Sequence, residues 1–231
     1  TQYNHIIGNT IASVHSHSSQ NQPQLSVNVK KRLRQTFFTA VEAGDRNAIL
    51  LMYIQTLYLY PIYDLVHSPN DKGVVPLLVA TNAGRYNVTM LLCELGADVN
   101  SCDIKGWNAL FYACFQGHLS IAIFLIYYHA NLVAANPRDL TGKTPLYVAA
   151  SRGHFSLVQL CLLTGMNVNH VTINNETALI VAARNGHFHV VAYLVASGAT
   201  LDHADKHGCT ALFYALRGKR YDIAEYLISR G

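Results

Sequence analysis

One leucine recurs through this chain at a nearly fixed interval. Leu77, Leu110, Leu146, Leu179 and Leu212 are separated by 33, 36, 33 and 33 residues. Gly84, Gly117, Gly153 and Gly186 each stand seven residues after the first four leucines, and His118, His154 and His187 follow three of those glycines. A period near 33 residues means that each unit is one supersecondary element too small to bury its own apolar face, so neighbours must stack. Such a chain forms a quasi-one-dimensional array, not a globule around one centre.

Local signals divide each unit in two. Thr144 precedes Pro145, placing a hydroxyl that can accept from free amides beside a residue suited to the first helical turn. Asn108, Thr177 and Thr210 hold the same place in their units. A first helix runs from there to the glycine of the Gly-His pair, and the small pairs Ala149-Ala150 and Ala182-Ala183 let neighbouring helices approach closely. A second helix carries an apolar stripe, as in Leu157, Val158, Cys161 and Leu162. It ends at Gly96, Gly165 or Gly198, the residue type that accepts a left-handed helix terminus. His129 holds that place in the third unit, which predicts local strain or a different helix end.

Thr144-Pro145-Leu146, followed by Ala149-Ala150 and Gly153-His154, with Gly96-Ala97-Asp98-Val99-Asn100 closing an earlier unit, resembles the ankyrin repeat. The pattern is clear over about 71–231 and degenerate over 33–70. The 34-residue tetratricopeptide pattern expects a Trp-Leu-Gly-Tyr series that is absent. The resemblance implies an all-α ankyrin-repeat solenoid: stacked helix-turn-helix pairs with β-turn fingers, about six repeats. Their expected bounds are 29–69 (degenerate), 70–102, 103–138, 139–171, 172–204 and 205–231. Residues 1–28, rich in Ser, Asn, Gln and His, read as a disordered or extended leader, with docking of 24–29 along the array as the alternative. A first residue that is not Met and a sixth unit lacking its closing residues fit a segment of a longer protein.

Two departures in length stand out. From Gly44 to Gly84 is 40 residues, so about seven extra residues fall in Tyr58–Asn70, expected as a packed loop or an extended second helix. In the first unit Leu33, Phe37, Ala40 and Val41 share one helical face, and a second helix is expected over Asn47–Leu57. The third unit carries three surplus residues between Val133 and Gly142, which predicts a longer finger between units three and four, a place where inserts meet ligands.

Charge and cysteine usage narrow the function classes. The net charge of +4 resides in Lys30, Lys31, Arg32 and Arg34, leaving 13 bases and 13 acids in the rest. A nucleic-acid groove needs cations spread along a face, so this distribution argues against nucleic acid. No run of 18 apolar residues exists, so neither a membrane span nor membrane insertion is expected. Five widely spaced cysteines without a CxxC pair fit a reducing, cytoplasmic setting, with the nucleus left open.

No phosphate loop, dinucleotide turn, nucleophile elbow or H-E-x-x-H helix is present. The expectation is no enzyme, no cofactor and no metal. His118, His154 and His187 stand where the resemblance places an imidazole bonding between neighbouring loops. His203 and His207 lie beside Asp202 and Asp205, and are read as part of a solvated turn in preference to a ligand pair.

The resemblance also implies where contacts are made: at finger tips and just before each Gly-His. Carried onto this sequence, the finger positions include Lys105, Trp107, Thr141, Lys143, Asn174, Glu176 and His207. The first-helix positions include Phe115, Gln116, Ser151, Arg152, Arg184, Asn185 and Arg217. The histidine usual after Pro-Leu is replaced in every unit, by Leu78, Phe111, Tyr147, Ile180 and Phe213, with Tyr112 and Tyr214 following two of them. Two readings are open: extra packing between repeats, or an aromatic patch of Trp107, Phe111, Tyr112 and Phe115 that anchors a partner. The expected function is a non-catalytic scaffold or adaptor holding a protein or linear peptide segment in its groove. A regulatory segment of a larger ubiquitin ligase, kinase or channel is the rival. Weak self-association through an open sixth unit is a third reading.

Overall fold

A computed structural model describes residues 27–56, 62–128 and 141–231. The expectations for the leader up to residue 26, for Tyr58 and Tyr60, for His129 and for the surplus finger residues through Leu140 lie outside the described residues. Among the described residues the regular structure is entirely helical. The first unit contributes α1 (Val27–Ala43), α2 (Arg46–Thr56) and a short α3 (Ile62–His67). The next five contribute pairs: α4 (Pro76–Asn82) with α5 (Tyr86–Glu94), α6 (Ala109–Gln116) with α7 (Leu119–Tyr127), and α8 (Pro145–Arg152) with α9 (Phe155–Leu163). Then come α10 (Ala178–Asn185) with α11 (Phe188–Ala196), and α12 (Ala211–Arg217) with α13 (Tyr221–Arg230).

The first helices start where a side chain can cap them. Asn108 accepts from the Phe111 amide at 2.9 Å, Thr144 from Tyr147 at 3.2 Å, Thr177 from Ile180 at 3.3 Å and Thr210 from Phe213 at 3.2 Å. Each bond occupies one of the amides that a helix start leaves open. In the second unit Val75 stands at that position without a side-chain cap, and Pro76 alone marks the start.

Stacking follows from the size of the inner residues. Ala149, Ala150, Ala182 and Ala183 are buried, and the first helices α4, α6, α8, α10 and α12 pack side by side more closely than the second helices do. The array therefore curves with its first helices on the inner side. The second helices bury Leu157, Val158 and Cys161 in α9 and their equivalents elsewhere. They also meet through edge-on rings: Tyr86 with Phe124, Phe155 with Tyr193, and Phe188 with Tyr226. Cys93, Cys114 and Cys161 are core residues; burial and the neighbouring Glu94 push the Cys93 thiol up to about 12.

The Gly-His step locks one unit to the next. Gly153 ends α8 at φ +75°, and the ring of His187 from the following unit lies directly over it. His187 Nε2 is 3.1 Å from the Ser151 carbonyl, and His154 and His118 reach back to Phe115 and Asn82 in the same way, each at 3.4 Å. Arginine fills this slot at both ends of the series. Arg85 reaches the Glu42 carbonyl at 3.0 Å, and the Arg220 guanidinium covers Gly186. The sixth-unit loop thus packs like the others, although Lys219 must adopt φ +56° to form it.

Of the extra residues before Asn70, 62–67 form the helix α3, which buries Leu65 and Val66 against the core. Whether it extends α2 lies outside the described residues, because the join falls at 57–61.

Candidate interaction surface

The fingers of units two, three, five and six are each built on one acidic or polar residue. Asp103 accepts the Lys105 and Trp107 amides through Oδ1, at 2.8 and 2.9 Å, and the Tyr112 hydroxyl through Oδ2 at 2.8 Å. Asp205 repeats this with His207, Cys209 and Tyr214, the last at 2.6 Å. Asn70 does the backbone part of the same work in the second unit and Thr172 part of it in the fifth. Burial raises the Asp205 carboxyl, but the Tyr214 hydroxyl and the two amides outweigh it and hold the group below its ordinary value. The fingers also clasp one another. Lys206 donates its ammonium to Asn174 Oδ1 at 2.7 Å, Asn175 donates to the Ala204 carbonyl at 2.8 Å, and the Ile173 amide donates to Thr141 O at 3.2 Å.

Between fingers and first helices lies a continuous polar network. Tyr147 donates to Glu176 Oε2 at 2.6 Å, and Arg184 forms an ion pair with Glu176 Oε1. The Arg184 guanidinium also lies 5.3 Å from the Tyr214 ring. Burial raises the Glu176 carboxyl, but its bonds to Tyr147 and Arg184 prevail and lower it. Burial and that same carboxylate raise the Tyr147 phenol. Network members that satisfy one another in a low dielectric are held rigidly.

The aromatic residues separate into a floor and a face. Phe111 is 0% exposed and belongs to the core, as do Leu78, Tyr147 and Ile180. For these four of the five replaced histidines, packing between repeats is the role the structure assigns. Phe213, on the sixth unit with nothing of this sequence stacked on it, is 45% exposed. Above Phe111 stands Trp107, its ring 4.3 Å away, and Trp107 also meets Tyr112 at 5.5 Å and Phe115 at 5.3 Å. Trp107, Tyr112 and Phe115 are half-buried. Cations cover the cluster: Arg152 Cζ lies 3.9 Å above the Phe115 ring, and Lys105 Nζ 5.7 Å from Trp107. Lys143 similarly overlies Tyr147 at 5.9 Å.

The remaining positions expected at this surface divide by what they already bond. Gln116 donates to Asn82 at 2.8 Å, Asn185 to the Ser151 carbonyl at 2.6 Å, and the Ser151 hydroxyl to Val148 O at 2.9 Å. Arg217, Lys105 and His207 are exposed, the last of them on the final finger. The structure therefore gathers Lys105, Trp107, Phe115 and Arg152 into one cluster spanning units three and four. It commits Tyr147, Glu176 and Arg184 to each other. Sequence reasoning missed Asp103, Asp205 and Tyr214 as organisers of this surface. The signal was there: each of the two aspartates precedes a tyrosine by nine residues.

Among the described residues no group of three or more His, Cys, Asp or Glu side chains is arranged to hold a metal ion. Nor is any described helix long and apolar enough to cross a membrane.

Comparison with known proteins agrees with this geometry. A 129-residue stretch is 33% identical to human ankyrin repeat domain-containing protein 63, covering 54% of this chain and 32% of that protein. A stretch of 108 residues is 32% identical to the mouse B-cell lymphoma 3 protein homolog, covering 46% of the chain and 23% of the relative. Another of 87 residues is 38% identical to the E3 ubiquitin-protein ligase XBAT33 of Arabidopsis thaliana, covering 38% of the chain but only 17% of that protein. The chain thus spans about a third or less of the length of these relatives. The family model for ankyrin repeats in three copies matches residues 37–136, 77–171, 129–205 and 146–231, together most of the sequence. The stack of capped helix pairs, the clasped fingers and these matches agree: the chain belongs to the ankyrin repeat family, whose repeats are protein-interaction modules.

Proposed function

We propose that this chain is a non-catalytic binding module that holds a protein or linear peptide segment along the inner face of units three to six. The observation that carries this reading is the cluster of Trp107, Phe115, Arg152 and Lys105. Half-buried rings are fixed on a buried floor and flanked by cations that have no carboxylate partner among the described residues. Trp, Tyr and Arg dominate binding hot spots because they combine large area with directional contacts. The polar network at Tyr147, Glu176 and Arg184 supports the reading indirectly. It stiffens the neighbouring surface, so little ordering is needed when a segment docks. An affinity of about micromolar, roughly −8 kcal/mol, suits a linear segment on such a surface. The module operates in an intracellular setting, consistent with five cysteines that form no disulfide, three of them core residues.

Affinity capture from cell lysate tests the proposal, comparing the wild-type chain with a Trp107→Ala/Phe115→Ala/Arg152→Ala variant of matched helicity. Proteins retained by the first and lost by the second support it; identical retention by both removes this cluster from consideration. A second reading is favoured by the likeness to a ubiquitin ligase of which this chain covers only a small part. There the module recruits a target to an activity carried elsewhere in a longer protein. A third rests on exposed Phe213, Leu216 and Ile228 of the sixth unit, an apolar end through which the array weakly self-associates. Light scattering over a concentration series tests it.

A further inference from the structure

Building on the interaction surface proposed above, we infer that its partner is an acidic segment lying extended across units three to six, with carboxylates about three residues apart. The inference comes from how the surface spends its charges. Among the described fingers and first helices of these units the carboxylates are Asp103, Glu176, Asp202 and Asp205. All but Asp202 are already bonded to a tyrosine hydroxyl, and Asp103 and Asp205 hold finger amides as well. The cations there are more numerous. Lys105, Lys143, Arg152 and Arg217 have no ion-pair partner among the described residues, where Arg184–Glu176 is the one ion pair formed. Glu94, Asp222 and Glu225 stand on the outer row of second helices α5 and α13, away from this face. A chain whose repeat body is neutral overall thus shows a positive inner face.

Repeat spacing sets the pattern on the partner. Packed helices lie about 8–10 Å apart, and an extended chain advances about 3.3 Å per residue. One step along the array therefore matches about three residues of the segment. Carboxylates at that interval meet Lys105, then Arg152 or Lys143, then Arg184, then Arg217. Arg184 is taken by Glu176, so an incoming carboxylate has to compete for it, and Glu176 acts as a built-in rival for one of the four positions.

A single-stranded nucleic acid is also anionic, but it gains much of its affinity by stacking bases on open ring faces. Trp107 packs against Phe111 and is overlain by Lys105, while Phe115 carries Arg152 on its face at 3.9 Å. Occupied faces leave ring edges for aliphatic side chains of a peptide. They offer no platform for bases.

The test selects peptides from a phage-displayed random 16-residue library on the whole chain, then measures synthetic hits by fluorescence anisotropy at low and high salt. Expected are hits with Asp or Glu at three-residue spacing, binding that weakens with salt, and a loss of about two- to fivefold for Arg152→Gln and for Arg217→Gln. Glu176→Gln, which releases Arg184, tightens the same peptides by about the same factor. Hits that are neutral or basic yet lost on Trp107→Ala overturn the acidic inference and leave the interaction surface standing. No enrichment that depends on Trp107 or Phe115 overturns both. Equal affinity of acidic hits for the wild type and the two arginine variants overturns the inference, as does oligo-dT that binds more tightly than any acidic hit.

Discussion

The Tyr147 hydroxyl donates to the Glu176 carboxylate at 2.6 Å, joining the first helix of one unit to the finger of the next. The same carboxylate holds Arg184, so a single acidic side chain ties the fourth unit to the finger and the first helix of the fifth. In a stacked array stability is a sum of unit terms and nearest-neighbour interfaces, and this bond is an interface term. Tyr147→Phe and Glu176→Ala are each expected to lower the stability of the array. Combined, they are expected to show a coupling of about 1.5–3 kcal/mol, the range for a hydrogen bond to a charged group. Urea unfolding of the two single variants and the double variant measures it. Strict additivity would show that the bond contributes nothing beyond its parts.

Acid should loosen the same interfaces. Burial alone raises the carboxyls of Glu176 and Asp205, but their tyrosine, arginine and amide donors more than offset it, so both titrate below their ordinary values of 4.5 and 3.8. The unfolded chain then binds these protons first, and stability increases with pH through this window. The contribution is fully present above the ordinary values and is lost as pH falls through the native ones. Thermal melts from about pH 6 down to pH 3 are expected to show a decline that becomes shallower in a Glu176→Gln/Asp205→Asn variant. Parallel curves for the two proteins would contradict the assignment.

Which parts were readable from the sequence follows from how local each determinant is. The starts of the first helices were, because Asn108, Thr144, Thr177 and Thr210 act on amides three residues away. So was the Gly-His step, because its glycine needs a left-handed backbone whatever surrounds it. The network was not: Tyr147 and Glu176 are 29 residues apart, and Arg184 reads as a free groove cation until the finger folds back onto it. Phe111 and Trp107 lie four residues apart and look alike in composition. Only the adjoining unit decides that Phe111 is floor and Trp107 is face. The helix α3 was hidden for a similar reason, since six residues carry too little periodicity to separate a short helix from a packed loop.

Two glycines with nearly equal backbone angles should respond differently to alanine. Gly153 has φ +75°, and a Cβ on it would lie 2.5 Å from His187 Nδ1. Gly165 has φ +86° with nothing within 4 Å of that point. Gly165→Ala is expected to cost only the backbone penalty of about 1–2 kcal/mol. Gly153→Ala adds the displacement of the imidazole from its slot, a further 1–3 kcal/mol or so for an overpacked contact. In a His187→Ala background that surplus should vanish. Denaturant titration of the wild type and the four variants decides it, and equal costs at both glycines would mean that the ring does not press on the step.

The division of the aromatic cluster into floor and face makes separable demands on stability and binding. Phe111 is fully enclosed, so Phe111→Leu should leave a small cavity and cost about 1–3 kcal/mol of folding stability. Its effect on affinity should be slight, because no atom of the ring reaches the surface. Phe115 is half-buried beneath Arg152, and Phe115→Ala should do the opposite. Stability falls little, while binding of a groove ligand weakens by about 2 kcal/mol or more, the hot-spot range. Arg152→Ala should weaken binding in step with Phe115→Ala and the two should be non-additive, since the guanidinium rests on that ring at 3.9 Å. Calorimetric titration alongside thermal melts measures both quantities on the same samples. If Phe111→Leu abolished binding while the fold persisted, or if Phe115→Ala left affinity untouched, the surface that meets the partner would have to be sought elsewhere on the array.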